Sequence, residues 1–295
     1  MSLALPLRPA SRPRYRLRRT VSTIASMLLG LVLLVWSLIP VYNMLLIALD
    51  PDGDTEFAGY IWPPDPSLES FAVVASQGYW YLENFWRQFG NSLYVGLLTM
   101  ALTMAIASLA AFAVGRMQLR RARVLANSAL LTYVLPSSFL AIPFLHVIRS
   151  YGLNDNLWGV IAAEVMLAAP FAVLILLQYA RLVPIEVDEA ARVDGASAAQ
   201  VYWHVYLPLM APALAAVGVY ALLIAWSEYL YQYLLLSSPH NWTVAVALEQ
   251  FWDADEAPWN YMMALAIIYA LPPIAIFYAL ARYAAAGLIS ARATT

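Results

Sequence analysis

The chain contains no cysteine and no lysine, and only three histidines. Without thiols there is no disulfide framework, no thiolate zinc site and no cysteine nucleophile. No G-x-x-x-x-G-K-[ST] string occurs, and with no lysine to reach the terminal phosphates the chain cannot hold ATP in the Walker manner. His146, His204 and His240 are scattered, so neither a metal site nor a catalytic cluster is indicated. Charge is scarce too. Only 12% of the 295 residues are charged and 63% are hydrophobic, whereas soluble domains carry about a quarter and about half. Lipid is therefore the expected solvent for most of the chain.

Six apolar runs are long enough to cross a bilayer, which takes about 20 residues of helix: 21–49, 90–114, 125–148, 157–179, 208–236 and 261–286. The first is far longer than the roughly 7–15 residues of a signal-peptide core, so it reads as an uncleaved anchor. Six spans put both termini on one side. All sixteen basic residues are arginine, and fourteen share one face. Arg8, Arg12, Arg14, Arg16, Arg18 and Arg19 precede span one, and Arg116, Arg120, Arg121 and Arg123 follow span two. Arg181 and Arg192 follow span four, and Arg282 and Arg292 end the chain. Only Arg87 and Arg149 lie opposite. The positive-inside rule makes the arginine-rich face, and both termini, cytoplasmic. The expected organisation is a cytoplasmic segment 1–20, a permease domain 21–286 and a cytoplasmic tail 287–295. The first outer loop, 50–89, is rich in Pro and Trp, the composition of an interfacial or partner-docking segment.

The cytoplasmic stretch 183–208 is the most informative. Pro184 suits the first turn of a helix, and Glu186, Asp188 and Glu189 then fall where the helix dipole favours negative charge. Gly195 supplies a left-handed terminator and Ser197 a cap for a second helix. The spacing predicts helices over about 184–194 and 197–206, with Leu207-Pro208 breaking the backbone at the membrane entry. Alanines 190, 191, 196, 198 and 199 keep the surface small enough for another protein to approach closely.

Glu189-Ala190-Ala191, Gly195 three residues on, and Val205 followed by Leu207-Pro208 resemble the EAA motif of binding-protein-dependent ABC importer permeases, EAA-x3-G-x9-I-x-LP. Valine stands for isoleucine. The string Glu189 to Ala196 is similar to that of the MalG-like carbohydrate permeases. Asn91-Ser92-Leu93, residues 133–143, Trp226-Ser227-Glu228-Tyr229 and residues 283–288 also resemble MalG-type positions. Ser227 departs from the Asn often found there, and the tail lacks the family's lysine.

The resemblance implies an all-α membrane protein of six transmembrane helices with the type I ABC importer permease fold. It would lie in the bacterial inner membrane, paired with a second permease subunit, two cytoplasmic ATPase subunits that bind ATP and Mg, and an external solute-binding protein. No catalytic residue, cofactor or nucleic acid belongs to this chain in that reading. Glu189, Ala190, Ala191, Asp194, Gly195, Ala196, Leu207 and Pro208 would couple to the ATPase, and the solute would be a sugar, glycoside or polyol, or another small polar organic molecule.

Two acids fall at membrane depth, where ionisable groups are costly and by default functional: Glu164 in span four and Glu228 in span five. Glu228, with Trp226 and Tyr229, is the candidate solute pathway, since aromatic rings stack on sugars. An ion-coupled secondary transporter, usually built on inverted repeats, leaves the 189–208 spacing unexplained. A membrane enzyme lacks any assembly of nucleophile, base and orienter.

Overall fold

The computed structural model describes residues 13–52, 59–117, 124, 135–249, 251 and 258–293, with side chains between 20 and 282. Among these the chain is all helix and turn. The order is α1 (Pro13–Ala48), α2 (Glu69–Ser76), a short turn Trp80–Leu82, α3 (Phe85–Gly115), α4 (Ser137–Ser150) and α5 (Leu157–Ala180). Then follow α6 (Glu186–Val193), α7 (Ala198–Val201), a π-turn Tyr202–Tyr206, α8 (Leu207–Ser227), α9 (Leu230–Leu235), α10 (Val244–Glu249) and α11 (Trp259–Ala293).

Five helices among the described residues are long and apolar enough to span a membrane: 20–48, 80–115, 157–180, 198–227 and 259–282. They match expected spans one, two, four, five and six. The first half of the expected third span, and the arginines at 8, 12, 120, 121 and 123, lie outside the described residues. So do the side chains at 13–19 and from 283 onward. The second half of that span is α4, which contains Pro143. Prolines also sit inside α1, α5, α8 and α11, as membrane helices tolerate where neighbours satisfy the freed carbonyl.

Two expectations are corrected. The backbone does not break at Leu207-Pro208. Helix runs continuously from Ala198 to Ser227, and the strain is taken by the π-turn, where the Leu207 N–H reaches back five residues to the Tyr202 carbonyl. The wider turn makes room for a proline ring, which would otherwise crowd the carbonyl of the preceding turn, and ends where Pro208 has no N–H to offer. Nor does span five run on to Leu236. It stops at Ser227, and a separate short helix, α9, follows.

α3 is the central element, packed along α5 and α8. At Gly96 the α3 backbone passes close to α8: an added Cβ would lie 3.1 Å from Leu222 and 3.3 Å from Trp226. The three larger of four apolar clusters among the described residues stack along the bundle. One joins the C-terminal halves of α3 and α5 to residues 201–217 at the arginine-rich end. Another joins Val95, α4, the start of α5 and α9 toward the opposite end. The third packs α2 and the Trp80–Leu82 turn onto α11, so part of the segment between the first two spans is folded against the bundle.

Candidate functional site

The segment after α5 is built by local rules. Ile185 accepts from the N–H groups of Asp188 and Glu189 at 3.0 and 3.1 Å, opening α6. At its other end Gly195 takes φ +89°. Its N–H bonds the Arg192 carbonyl, and the Ala196 N–H bonds the Ala191 carbonyl, both at 3.0 Å. This is the Schellman pairing, which needs a left-handed residue at the position of Gly195. Ser197 then caps α7. The Gln200 N–H donates to Ser197 Oγ at 3.3 Å, and the Ser197 N–H donates to Gln200 Oε1 at 2.8 Å. Helix, turn and helix are thereby held at a fixed angle.

The outer surface of this unit is open. Glu189, Ala190, Asp194 and Gly195 are exposed, Ala191 and Ala196 half-buried, and Val193 is 87% exposed at the end of the helix. The inner surface is anchored. Asp188 is buried, its Oδ2 3.2 Å from Nε of Arg116 at the end of α3, with side chains 3% and 4% exposed. Arg116 Nη2 also donates to the Val183 carbonyl at 3.1 Å. The Ser108 and Tyr202 hydroxyls bond at 2.7 Å, and Phe112 packs edge-on to Tyr202 and Tyr206.

A second polar site lies inside the bundle, where α8 ends and α9 begins. The interruption at Ser227–Tyr229 frees backbone groups that lipid cannot satisfy. Side chains take their place. Glu228 Oε1 accepts the Tyr231 N–H at 3.0 Å, and Gln232 Nε2 donates to the Ala225 carbonyl at 2.9 Å. The fully buried Glu164 on α5 accepts from Gln232 at 2.7 Å and from Thr99 on α3 at 3.1 Å, while Thr243 donates to the side-chain Oε1 of Gln232. Beside the interruption is a cavity of about 330 Å³ between α4, α5 and α8, with Ser137, Tyr220, Ser227 and Glu228 on its wall.

Residues 104–290 match the family of binding-protein-dependent transport system inner membrane components. The chain belongs to that family. A putative ABC transporter permease protein of Streptomyces antibioticus is 36% identical over 200 residues, covering 68% of this chain and 87% of the relative. The diacetylchitobiose uptake system permease DasC of Streptomyces coelicolor is 28% identical over 260 residues, covering 88% and 92%. The trehalose transport system permease SugB of Mycobacterium tuberculosis is 31% identical over 202 residues, covering 68% and 74%. In fold, the chain superposes on one from a bacterial ABC transporter that imports alginate, with TM-score 0.76 at 20% identity, over 94% of this chain and 99% of the other. The protein is thus an ABC importer permease, a transport component and not an enzyme, and its partners include an ATPase and a solute-binding protein.

The end of the permease away from the arginine-rich face has its own latch. From α3, Arg87 and Asn91 donate to the His240 carbonyl, Gln88 to Pro239 and Asn91 to Trp242, while Ser92 Oγ accepts the Val244 N–H. Opposite, Asp155 accepts from the backbone of Ser237 and Ser238 and from the Ser238 hydroxyl. Burial pushes the Asp155 carboxyl up, but donors from Ser238, Ser237 and Asn241 outweigh it and hold the group below the ordinary carboxylate range.

The expected pathway residues separate. Glu228 faces the cavity while capping α9. Tyr229 stacks on Tyr233 with ring centroids 5.4 Å apart. Trp226 is buried between α8 and α11, stacked on Tyr269 at 4.7 Å, with its indole donating to the Tyr269 carbonyl. Sequence reasoning missed Arg116, Asp188, Gln200 and Gln232. The Ser197-x-x-Gln200 spacing was the available signal for the capping box. Arg116 looked like one more cytoplasmic arginine and Asp188 like one more first-turn acid. No cluster of three or more metal-ligating side chains occurs among the described residues.

Proposed function

We propose that the permease imports a sugar, glycoside or polyol, and takes its energy through the segment 183–208. The observation that carries the coupling role is an exposed α6 locked to α7 by the Gly195 turn and the Ser197 box, with Val193 standing out as a knob. In this reading Glu189, Ala190, Ala191, Asp194, Gly195 and Ala196 seat in a groove on the ATPase. Leu207 and Pro208 sit at the π-turn, where the unit joins α8. Two ATPase subunits bind ATP and Mg and close, and their differential affinity for ATP in the closed state biases the bundle between inward- and outward-facing forms.

A second permease subunit completes the pathway. The apolar faces of α1, exposed from Thr20 to Tyr42 and anchored on α11 around Leu46 to Ala48, support a partner helix or lipid against it. The whole lies in the bacterial inner membrane as one domain over 21–286, with both termini cytoplasmic. Glu228 contributes to the pathway through the cavity beside the interruption, with Tyr229 near it and Trp226 buttressing α8 from behind. A carbohydrate is supported by relatives named for diacetylchitobiose, trehalose and arabinooligosaccharide transport. The test is to purify the assembled importer and measure ATP hydrolysis with binding protein loaded with candidate solutes. Stimulation by a carbohydrate is expected. Stimulation only by another solute class removes the sugar assignment and leaves the importer standing.

A further inference from the structure

We propose that α3 is the rod that carries the coupling movement across the membrane, and that Arg116 and Asp188 are the positioning pair that joins the coupling segment to it. This rests on the coupling role of 183–208 proposed above. Ser108, Phe112 and Arg116 recur at intervals of four residues, so they share one face of α3. Together they grip both ends of the segment. Ser108 holds Tyr202, Phe112 packs on Tyr202 and Tyr206, and Arg116 holds both Asp188 on α6 and the Val183 carbonyl at the segment's entry.

The alternative mechanical links are weak. Backwards, α6 is tied to α5 by the turn 181–185 and by apolar packing alone, with Ala191 set against the cluster that includes Leu176 and Ala180. Forwards, it is tied to α8 through the Gly195 turn and the π-turn. A push on α6 would be absorbed at those joints unless a side contact made the unit one body with a long helix. α5 shares the apolar packing, but the hydrogen bonds and the ion pair come from the face of α3, and that contact is buried on both sides: Ser108, Phe112, Arg116, Asp188, Tyr202 and Tyr206 all have little or no exposure.

A buried ion pair is poor evidence of stabilisation, because the cost of desolvating both charges offsets their attraction. What such a pair does provide is a fixed register between two elements. From that end α3 runs 31 residues, roughly 46 Å at 1.5 Å per residue. At its far end Arg87, Gln88, Asn91 and Ser92 hold the loop 239–244. One rigid helix therefore touches both the coupling segment and that latch.

The experiment uses the complete importer reconstituted in vesicles, with D188N, R116Q and the exchanged pair R116D/D188R. The single variants are expected to co-purify with the ATPase and hydrolyse ATP, while solute imported per ATP falls about tenfold or more. The exchanged pair should recover most of that loss, as directly coupled residues do in a double-mutant cycle. Recovery should be incomplete, because aspartate at 116 cannot donate to the Val183 carbonyl. Unchanged import per ATP in the single variants, or an exchanged pair no better than either, overturns the proposal.

A second measurement does not depend on these variants. The chain has no native cysteine, so spin labels can be placed at L109C on α3 and W203C on the π-turn, both exposed positions. Their separation should be the same with and without trapped ATP, and a change of several ångströms overturns the proposal. Failure of the coupling role itself would look different: the outer face of α6 would stay open to reagents in the assembled complex.

Discussion

Replacing Gly195 with valine is expected to abolish solute uptake while the protein still inserts and accumulates in the membrane. At φ +89° the residue lies in the left-handed region, which a β-branched side chain adopts only with strain. Nothing lies within 4 Å of an added Cβ, so the damage is to the backbone and not to packing. Strain of about 1–3 kcal/mol, the usual cost of a residue forced into such a conformation, is relieved by reopening the turn. The Schellman bonds from Gly195 and Ala196 are then lost, and α6 no longer meets α7 at the angle its partner needs. Insertion survives because Gly195 belongs to none of the apolar clusters. Asparagine, which tolerates the left-handed region, should retain measurable uptake. A valine variant transporting at the native rate would remove the coupling role from this segment.

The second large effect is expected at Glu164. Its carboxylate is the acceptor for both Thr99 and Gln232, and so links α3, α5 and α9 around the interrupted helix. Alanine there strands the Thr99 hydroxyl and removes one of two acceptors from the Gln232 amide. The cost is on the order of 1–3 kcal/mol for each buried group left unpaired, and the site opens a cavity as well. The assembled complex should unfold roughly 5–10 °C lower, by the usual relation between stability and midpoint for a domain of this size. Glutamine preserves the shape and one acceptor and should fall between. Thermal unfolding of the complex in detergent measures this, and an unchanged midpoint for E164A would show that the network holds nothing together.

What the sequence shows of this fold is what local rules and hydropathy encode. Five spans, the Gly195 terminator and the Ser197 cap depend on residues near one another in the chain, and each was legible. The interruption at Ser227–Tyr229 was not, because hydropathy counts side chains and the aromatic run from Trp226 to Leu236 is apolar on either side of it. Only Glu228 hinted at a change. The π-turn was hidden in the same way, since nothing in the Tyr202–Tyr206 side chains marks a wider turn and Pro208 suggested a break where the helix widens instead. The Arg116–Asp188 pair joins residues 72 positions apart, and each had a sufficient local explanation. Pairings of that kind are decided by packing, which no window of sequence contains.

The central claim is that the ATPase seats on α6, and the absence of cysteine makes it directly measurable. With a single V193C, a membrane-impermeant maleimide should label the permease rapidly when the ATPase subunits are absent, because that side chain stands 87% exposed. In the assembled importer, labelling should slow by about tenfold or more, as burial beneath a well-packed interface core requires, while Y151C at the opposite end reacts equally in both. Equal labelling of V193C with and without the ATPase would contradict the account.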